Sequence, residues 1–388
     1  MRLRKKEKIM INEERLHRTF CELVKIYAPS GGERDVFEYL KRTLKRLGAR
    51  VSEDAANSEA GGSCGNLIAV FSANMPGIPG IAFTGHMDCV ENCKDIEPVL
   101  EGGVYRSTGD TILGGDDKAG VAAILEALAV MKETMIPHGQ ITVIFTIHEE
   151  DGLGGSKNFD KKFAEGIDFG YVFDSDGAPG IAVIQGPYAY SFTCTMHGKA
   201  AHAGVCPEAG INAIKMAAHA VSQIPSGRID AETTANVGTI EGGLATNIVP
   251  DTCTIRAEAR SLDEEKLKKV VGDIVAGFKS AEEKFPGGIA EVTATPVYYG
   301  FKVEETSPAI RLFRAACAAC GAAPVLETSN GGSDANWFNA GAFPALLCGC
   351  GMTGFHTNEE SLAQKDLFGT AELIYSLIEQ SAHVFMHA

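Results

Sequence analysis

The sequence predicts an α/β protein with a mostly parallel sheet and a smaller α+β domain inserted into it. Apolar strand-like runs such as 66–71, 81–84 and 141–147 alternate with helical segments in the first half of the chain. The runs are apolar throughout, which is typical of parallel strands that are buried on both faces. From about residue 187 the strands instead alternate in polarity, and after residue 300 the first pattern returns. This return predicts that the middle segment is an insertion.

The first segment, residues 1–187, is predicted to supply the larger part of the sheet domain. Its elements follow in the order helical residues 13–49, strands 66–71 and 81–84, helix 119–131, and strands 141–147 and 171–173. The sequence Pro-Ser-Gly-Gly at 29–32 interrupts the helical stretch. We expect Ser30 to cap the helix that follows, because Glu33 three positions later would complete a capping box.

The second segment, residues 188–300, is predicted to form a ferredoxin-like α+β domain. Its order is β-α-β-β-α-β, with strand 188–196, helix 213–222, strands 234–240 and 252–259, helix 263–283 and strand 290–297. The third segment, residues 301–388, is predicted to complete the sheet domain. It contains a helix up to Cys320, a strand at 345–347, a loop at His356 and a final helix.

Composition and charge limit the classes of partner. A length of 388 residues suits two domains, and 50 acidic against 35 basic residues give a net charge of −15. Nucleic acid and anionic membranes repel a chain of this charge, so neither is predicted as a partner. The basic start at 1–20 lacks an apolar signal core and is predicted to be an irregular end leading into the first helix.

The cysteines indicate a reducing compartment, and we expect a cytoplasmic protein. There are eleven, an odd number scattered along the chain, which does not suit a secreted disulfide framework. Cys317 and Cys320 form a CxxC pair within an Ala-rich run. We expect this pair to pack in a helix rather than to bind zinc or exchange electrons.

Five short polar clusters carry the chemistry. They are GHMD at 85–88, GGDDK at 114–118, HEE at 148–150, DSDG at 174–177 and GFH at 354–356. Four of them follow apolar strands directly or within a short loop, where open α/β sheets bind their ligands. Each cluster alone has an ordinary explanation, such as a solvated turn or a helix N-terminus. Their conjunction at strand ends predicts one shared site.

The clusters supply the ligands that two zinc ions require. Zinc binds imidazole nitrogen and carboxylate oxygen, and two ions about 3.5–4 Å apart need a carboxylate that bridges them. Two imidazoles and three carboxylates are predicted as ligands: His86, Asp116, Glu150, Asp174 and His356. With Asp116 as the bridge, each ion has three protein ligands and an open position for water.

Two further carboxylates suit catalytic roles. Asp88 lies two residues beyond His86 on the same face of a strand, so we expect it to accept the second N–H of that imidazole. Glu149 is next to the ligand Glu150, and a free carboxylate beside an activated water is a natural general base.

Together these clusters resemble the co-catalytic zinc peptidases that include peptidase T, carboxypeptidase G and the aminoacylases. The similarity runs from SGGER at 30–34 to the final helix, and the inserted segment adds GKAAHAG at 198–204 and GGLATNIVP at 242–250. The resemblance implies two Zn²⁺ ions per subunit, which Co²⁺ or Mn²⁺ can replace. It also implies a homodimer formed through the inserted domain, which serves as a lid.

The resemblance also implies the substrate contacts. His202 would reach a substrate carbonyl oxygen, in this family usually across a dimer interface. Asn247 and Arg260 would hold the substrate, with Arg260 at its carboxylate. GGSD at 331–334 looks like the family's glycine-rich substrate loop.

The third carboxylate ligand bears on the substrate. In this family an Asp there accompanies aminopeptidases, whereas a Glu accompanies carboxypeptidases and deacylases. Asp174 is preferred because it ends the strand directly, although an ungapped match to peptidase T favours Asp176. The resulting prediction is a dizinc aminopeptidase of short peptides, similar to tripeptidases. The alternatives are an N-acyl amino acid deacylase or carboxypeptidase of the same fold, an inactive peptide-binding protein, and a cysteine hydrolase that uses Cys89 beside His86.

Overall fold

The structure, a computed structural model, describes residues 11–386. The first ten residues of the basic start therefore lie outside it. The chain folds into two compact units. The first comprises residues 11–184, 302–328 and 333–386, and the second comprises Gln185–Phe301 with Ser329–Gly332.

The helices and strands follow in chain order. The first part contains α1 (Glu13–Val24), α2 (Arg34–Leu47), β1 (Arg50–Glu53), α3 (Asn57–Ala60), β2 (Leu67–Phe71), β3 (Ile81–His86), β4 (Pro98–Glu101), β5 (Val104–Ser107), α4 (Gly115–Thr134), β6 (Ile141–Thr146), α5 (Gly154–Lys157), β7 (Phe169–Asp176) and β8 (Ile181–Gly186). The middle part contains β9 (Tyr188–His197), β10 (Ala201–His202), α6 (Ala213–Gln223), β11 (Gly227–Arg228), β12 (Thr233–Gly242), β13 (Ile248–Val249), β14 (Thr252–Ser261), α7 (Glu264–Lys284) and β15 (Ile289–Tyr298). The last part contains β16 (Phe301–Lys302), α8 (Pro308–Cys320), β17 (Val325–Thr328), α9 (Asp334–Asn339), β18 (Ala345–Thr353), β19 (Ser361–Ala363) and α10 (Gln364–Met386).

The first unit is built on a mixed sheet whose centre is parallel, so the predicted fold class is confirmed. The sheet order is β1-β2-β6-β3-β7-β18-β19-β5-β4, and β8 joins β16 and β17 to β18. The pairs β6–β3, β3–β7 and β7–β18 are parallel, while the strands towards both edges are antiparallel. Every residue of β3 and β6 is buried, as their continuous apolar sequences predict.

Helix α4 is the central helix of this unit. It is buried from Gly115 to Met131, and within its Ala-rich part at 119–131 only Glu126 is charged. The predicted helix at 119–131 is therefore present but extends to Thr134. Asp116 and Asp117 precede its regular part, have non-helical backbone angles and are joined by a cis peptide bond.

The second unit has the predicted ferredoxin-like arrangement. The sheet order is β11-β12-β14-β9-β15 with antiparallel pairing throughout, and helices α6 and α7 pack on it. The alternating sequences of β9 and β14 place alternate residues in the core. Helix α7 contributes Leu267, Ile274 and Phe278 to this core, opposite Met216 of α6.

The two units divide the chain at 184/185 and 301/302, close to the division at 187/188 and 300/301 that the sequence indicates. One further segment lies outside that division. Residues 329–332 were expected to belong to the sheet domain, but they pack with the second unit. Ser329 donates its backbone N–H to the carbonyl of Gln185 at 3.1 Å. Gly332 lies so close to the ring of Tyr298 that a Cβ atom there would come within 2.4 Å of it. A side chain could not be accommodated without displacing the tyrosine.

Two smaller features complete the fold. Cys317 and Cys320 lie in α8, where Cys317 is fully buried and both thiols are free. Within residues 11–386, no helix is long and apolar enough to span a membrane.

Replacing Phe278 with Ala should destabilise the second unit by about 3–5 kcal/mol, because it removes a fully buried ring and leaves a cavity. Chemical denaturation followed by circular dichroism measures this change. The control is Lys269→Ala on the solvent-facing side of the same helix, expected within about 0.5 kcal/mol of the wild type. Equal effects of the two substitutions would contradict the assigned packing of α7.

Candidate metal centre

The polar clusters of the first unit meet at the carboxyl end of its parallel strands. His86 is the last residue of β3, and Glu150 lies just after β6. Asp174 lies in β7, Asp116 at the start of α4, and His356 in the loop between β18 and β19. Since parallel strands end at the same edge of a sheet, residues far apart in sequence converge there.

The first group of side chains is buried. The Nε2 atom of His86 lies 3.0 Å from Oδ1 of Asp116 and 3.4 Å from Oδ1 of Asp174. The imidazole is 1% exposed. These three residues can each offer one ligand atom to a shared ion.

The second group is open on one side. Nε2 of His356 lies 2.8 Å from Oε2 of Glu150 and 3.3 Å from Oδ2 of Asp116. The side chain of His356 is 49% exposed, whereas that of Glu150 is 5% exposed. Asp116 thus belongs to both groups, with one carboxylate oxygen facing each imidazole.

The chemistry of these residues fits a pair of divalent cations. The Nδ1 atom of His86 lies 3.1 Å from the backbone carbonyl of Asp88, which can only accept a hydrogen bond. Nδ1 of a neutral His86 therefore carries the proton, and the lone pair of Nε2 faces two carboxylates. Oε1 of Glu150 is buried without a hydrogen-bond partner among the described residues. A cation between these acceptors would compensate their charge.

Burial and mutual repulsion act on the carboxylates of the site. Burial raises the pKa of Asp174 to about 8. His86 lowers this pKa, whereas the negative charge of Asp116 raises it. Burial, followed by the charge of Asp174, also raises the pKa of Glu149 well above its ordinary value. A bound cation would stabilise the ionised forms of both.

The two candidates for the third carboxylate occupy different environments. Asp174 is 7% exposed and faces His86, whereas Asp176 is exposed and accepts a hydrogen bond from the Ser175 hydroxyl at 3.3 Å. This geometry favours Asp174, which was also preferred from the sequence.

Asp88 has more partners than the sequence indicates. Its Oδ1 lies 3.4 Å from Nδ1 of His86, and its backbone carbonyl oxygen lies 3.1 Å from the same nitrogen, so Nδ1 faces both oxygens of this residue. The carboxylate also accepts the backbone N–H groups of Glu149 at 3.1 Å and Glu150 at 3.2 Å. Burial alone would raise the pKa of Asp88, but the bonds from His86, Ser30 and Glu149 lower it.

Ser30 does not cap helix α2, contrary to the prediction from the sequence. Helix α2 begins at Arg34, and the side chain of its N-cap residue, Glu33, makes no capping hydrogen bond. The hydroxyl of Ser63, not that of Ser30, accepts the N–H of Arg34 at 3.1 Å. The Ser30 hydroxyl instead donates to Oδ2 of Asp88 at 2.7 Å. Glu33 accepts the N–H groups of Gly31 at 2.8 Å and His148 at 3.1 Å, so it fastens the loop after β6 rather than closing a capping box.

The predicted substrate contacts all lie in the second unit. His202 is exposed in β10, and its Nδ1 accepts the N–H of Gly204 at 3.2 Å. Asn247 is exposed in the adjacent loop. Arg260 lies in β14 and donates from Nη2 to Glu258 at 2.9 Å, while its Nε is buried without a partner among the described residues. Their predicted roles stay predictions.

The structure adds residues that sequence reasoning passed over. Asp117 accepts the N–H of His86 at 3.3 Å, and Lys118, fully buried, donates to the carbonyls of Met87 at 2.6 Å and Asp88 at 3.3 Å. Both residues lie inside the GGDDK cluster at 114–118, so the sequence already indicated that they lie near the site. Glu360, by contrast, accepts the N–H groups of Gly114 at 2.7 Å and Asp116 at 3.0 Å, and nothing in its local sequence indicates this.

Cys89 is not arranged as a nucleophile. Its thiol is buried, donates to the backbone carbonyl of Asp116 at 3.6 Å and contacts Nζ of Lys118 at 3.2 Å. A hydrogen bond with Cys93 and burial raise the pKa of Cys89 well above its ordinary value. The geometry therefore disfavours a cysteine hydrolase.

Comparisons with known proteins place the chain among peptidases. Residues 66–206 match the family described as "Peptidase family M28", and residues 188–286 match "Peptidase dimerisation domain". The chain is 41% identical to the uncharacterised protein YqjE of Bacillus subtilis over 373 residues, 96% of this chain and 100% of that one. It is also similar to the solved aminopeptidase PepT of Bacillus cereus, with 40% identity, a TM-score of 0.88 and coverage of 96% of this chain and 99% of that one. A tripeptidase of Staphylococcus aureus has 37% identity, a TM-score of 0.92 and coverage of 96% and 100%.

The fold, the carboxylate–imidazole site and these matches together define the class of protein as a metallopeptidase. Within that class, the chain belongs to the peptidase T-like family.

Asp174→Asn should reduce the metal content of the purified protein, because it removes a carboxylate charge that faces His86. Elemental analysis after dialysis measures bound metal per chain. Asp176→Asn is the matched control and should retain the wild-type content. The reverse result would make Asp176 the ligand.

Proposed function

We propose that this protein is a dizinc aminopeptidase that hydrolyses the N-terminal bond of short peptides. The observation that carries the proposal is the shared carboxylate of Asp116. Its two oxygens lie 3.0 Å from Nε2 of His86 and 3.3 Å from Nε2 of His356. A carboxylate between two imidazole groups is the arrangement that a pair of ions requires.

Each ion would have three protein ligands. His86, Asp116 and Asp174 would hold one, and Asp116, Glu150 and His356 would hold the other. Bound zinc supplies Lewis-acid chemistry that polarises a peptide carbonyl and makes water a stronger nucleophile near neutral pH. Co²⁺ or Mn²⁺ would suit the same nitrogen and oxygen donors.

Glu149 is the general base of the proposed mechanism. Its carboxylate takes a proton from the attacking water and passes it to the nitrogen of the leaving amine as the peptide bond breaks. Asp88 supports this role because it binds the N–H groups of both Glu149 and Glu150. The Asp88 carboxylate thus sets the position of the proposed base, Glu149, relative to the proposed ligand Glu150.

The family matches support the substrate class. The two solved structures named above are an aminopeptidase and a tripeptidase. An Asp as the third carboxylate ligand agrees with cleavage at a free N-terminus. We further propose a cytoplasmic homodimer formed through the second unit, since residues 188–286 match a dimerisation domain. His202, Asn247 and Arg260 would contact the peptide.

Glu149→Gln should lower kcat by about 10²–10⁴-fold while metal content stays at the wild-type level, because the amide cannot accept the proton. Steady-state kinetics and elemental analysis on the same preparation measure both quantities. Asp151→Asn, an exposed carboxylate in the same loop, is the control and should be near wild type. Near-normal turnover by the Glu149 variant would show that another group is the base.

A substrate panel tests the bond that is cleaved. Di-, tri- and tetrapeptides with free amino groups should be hydrolysed in the presence of Zn²⁺, and the matching N-acetylated peptides should be poor substrates. Release of the N-terminal amino acid, measured by chromatography, identifies the bond. Preference for the acylated set would favour the deacylase, release of the C-terminal residue the carboxypeptidase, and binding without turnover an inactive peptide-binding protein.

A further inference from the structure

The loop that carries His356 is exposed over most of its length. It joins β18 to β19, and residues 353–359 are all exposed. His356 itself has a φ of +62°, in the left-handed region that side chains rarely adopt. Such a loop needs a buried contact with the rest of the unit if His356 is to keep a fixed position.

Glu360 is the buried end of this loop. The residue is 1% exposed, and its two carboxylate oxygens accept separate backbone N–H groups. Oε2 accepts from Gly114 at 2.7 Å, and Oε1 accepts from Asp116 at 3.0 Å. The contact therefore joins a position four residues after His356 to the backbone of the shared Asp116.

A second contact of the loop is at the surface. Nδ2 of Asn92 donates to Oδ1 of Asn358 at 2.9 Å, and both residues are exposed. A hydrogen bond between exposed neutral groups competes with water and stabilises little. The buried, charge-assisted contact of Glu360 is the stronger of the two.

We propose that Glu360 is a positioning residue that holds the Asp116–Glu150–His356 group together. The inference rests on the proposed two-metal function. Glu360 touches none of the imidazoles; it acts by fixing the backbone of Asp116 relative to the loop that bears His356.

The two groups depend on Glu360 to different extents. His86 and Asp174 lie on neighbouring strands, and the backbone N–H of His86 is held by Asp117. His356 has no such support from a strand. Loss of Glu360 therefore weakens the group that contains His356 more than the group that contains His86, because only the first loses the position of a loop-borne ligand in addition to that of Asp116.

The test is Co²⁺ titration of the metal-free full-length protein, followed by calorimetry and by the visible absorption of bound Co²⁺. The wild type should bind two ions per chain. Glu360→Gln should bind one ion close to wild-type affinity and the second about 10–100-fold more weakly, the usual range for a residue that supports a ligand. The amide places an N–H group against a backbone N–H, so one of the two bonds is lost.

Glu359→Gln is the matched control, because Glu359 is the exposed neighbour in the same loop. It should bind two ions as the wild type does. Glu360→Asp is a second variant in case the glutamine variant does not fold; its side chain is one methylene shorter and cannot reach both donors. Circular dichroism of the metal-free proteins checks that the fold is retained.

The outcomes separate the inference from the proposed function. Two ions bound at wild-type affinity by both Glu360 variants would overturn the positioning role and leave the two-metal function intact. Equal weakening of both ions in a folded variant would overturn the selective role. Fewer than two ions in the wild type would overturn the two-metal function itself, and the inference with it.

Discussion

The structure of the site depends on how the protein stabilises several carboxylates that converge in its interior. Asp116, Glu150 and Asp174 converge on two imidazoles, with Glu149 close by. Burial of a carboxylate is costly unless hydrogen bonds and positive charge compensate for it. Bound cations would supply this positive charge, and the convergence of the carboxylates on the two imidazoles fits them.

Backbone N–H groups supply the other part of the compensation. Asp88 accepts two from the loop after β6, Asp117 accepts those of His86 and Gly120, and Glu360 accepts two from the start of α4. These carboxylates are not among the proposed metal ligands. Each one fixes the backbone that carries a ligand, so the ligands are oriented before an ion binds.

The sheet and the edge at which the polar clusters meet were predictable from the sequence, for physical reasons. Continuous apolar runs predict strands buried on both faces, and polar residues at their ends predict a shared edge. The five proposed ligands were chosen from the residue types in the polar clusters, and the structure places them in two adjoining groups that share Asp116.

The contacts that orient the ligands were not predictable in the same way. Local rules assigned Ser30 to a helix cap, whereas it donates to Asp88, 58 positions away. Glu360 contacts Asp116 across a separation of 244 positions. Local sequence patterns report on neighbours within a turn or two, so a hydrogen bond between distant segments leaves no periodic signal.

The unequal exposure of the two imidazoles divides the site into two parts. His86 is 1% exposed, whereas the side chain of His356 is 49% exposed. The buried group would suit an ion that stays bound, whereas an ion in the more exposed group would be open to water or a substrate carbonyl. Glu150 belongs to the exposed group, while burial and the charge of Asp174 in the buried group raise the pKa of its neighbour Glu149, the proposed base. The difference in exposure follows from where the residues lie. His86 and Asp174 lie in buried strands, whereas His356 lies in an exposed loop.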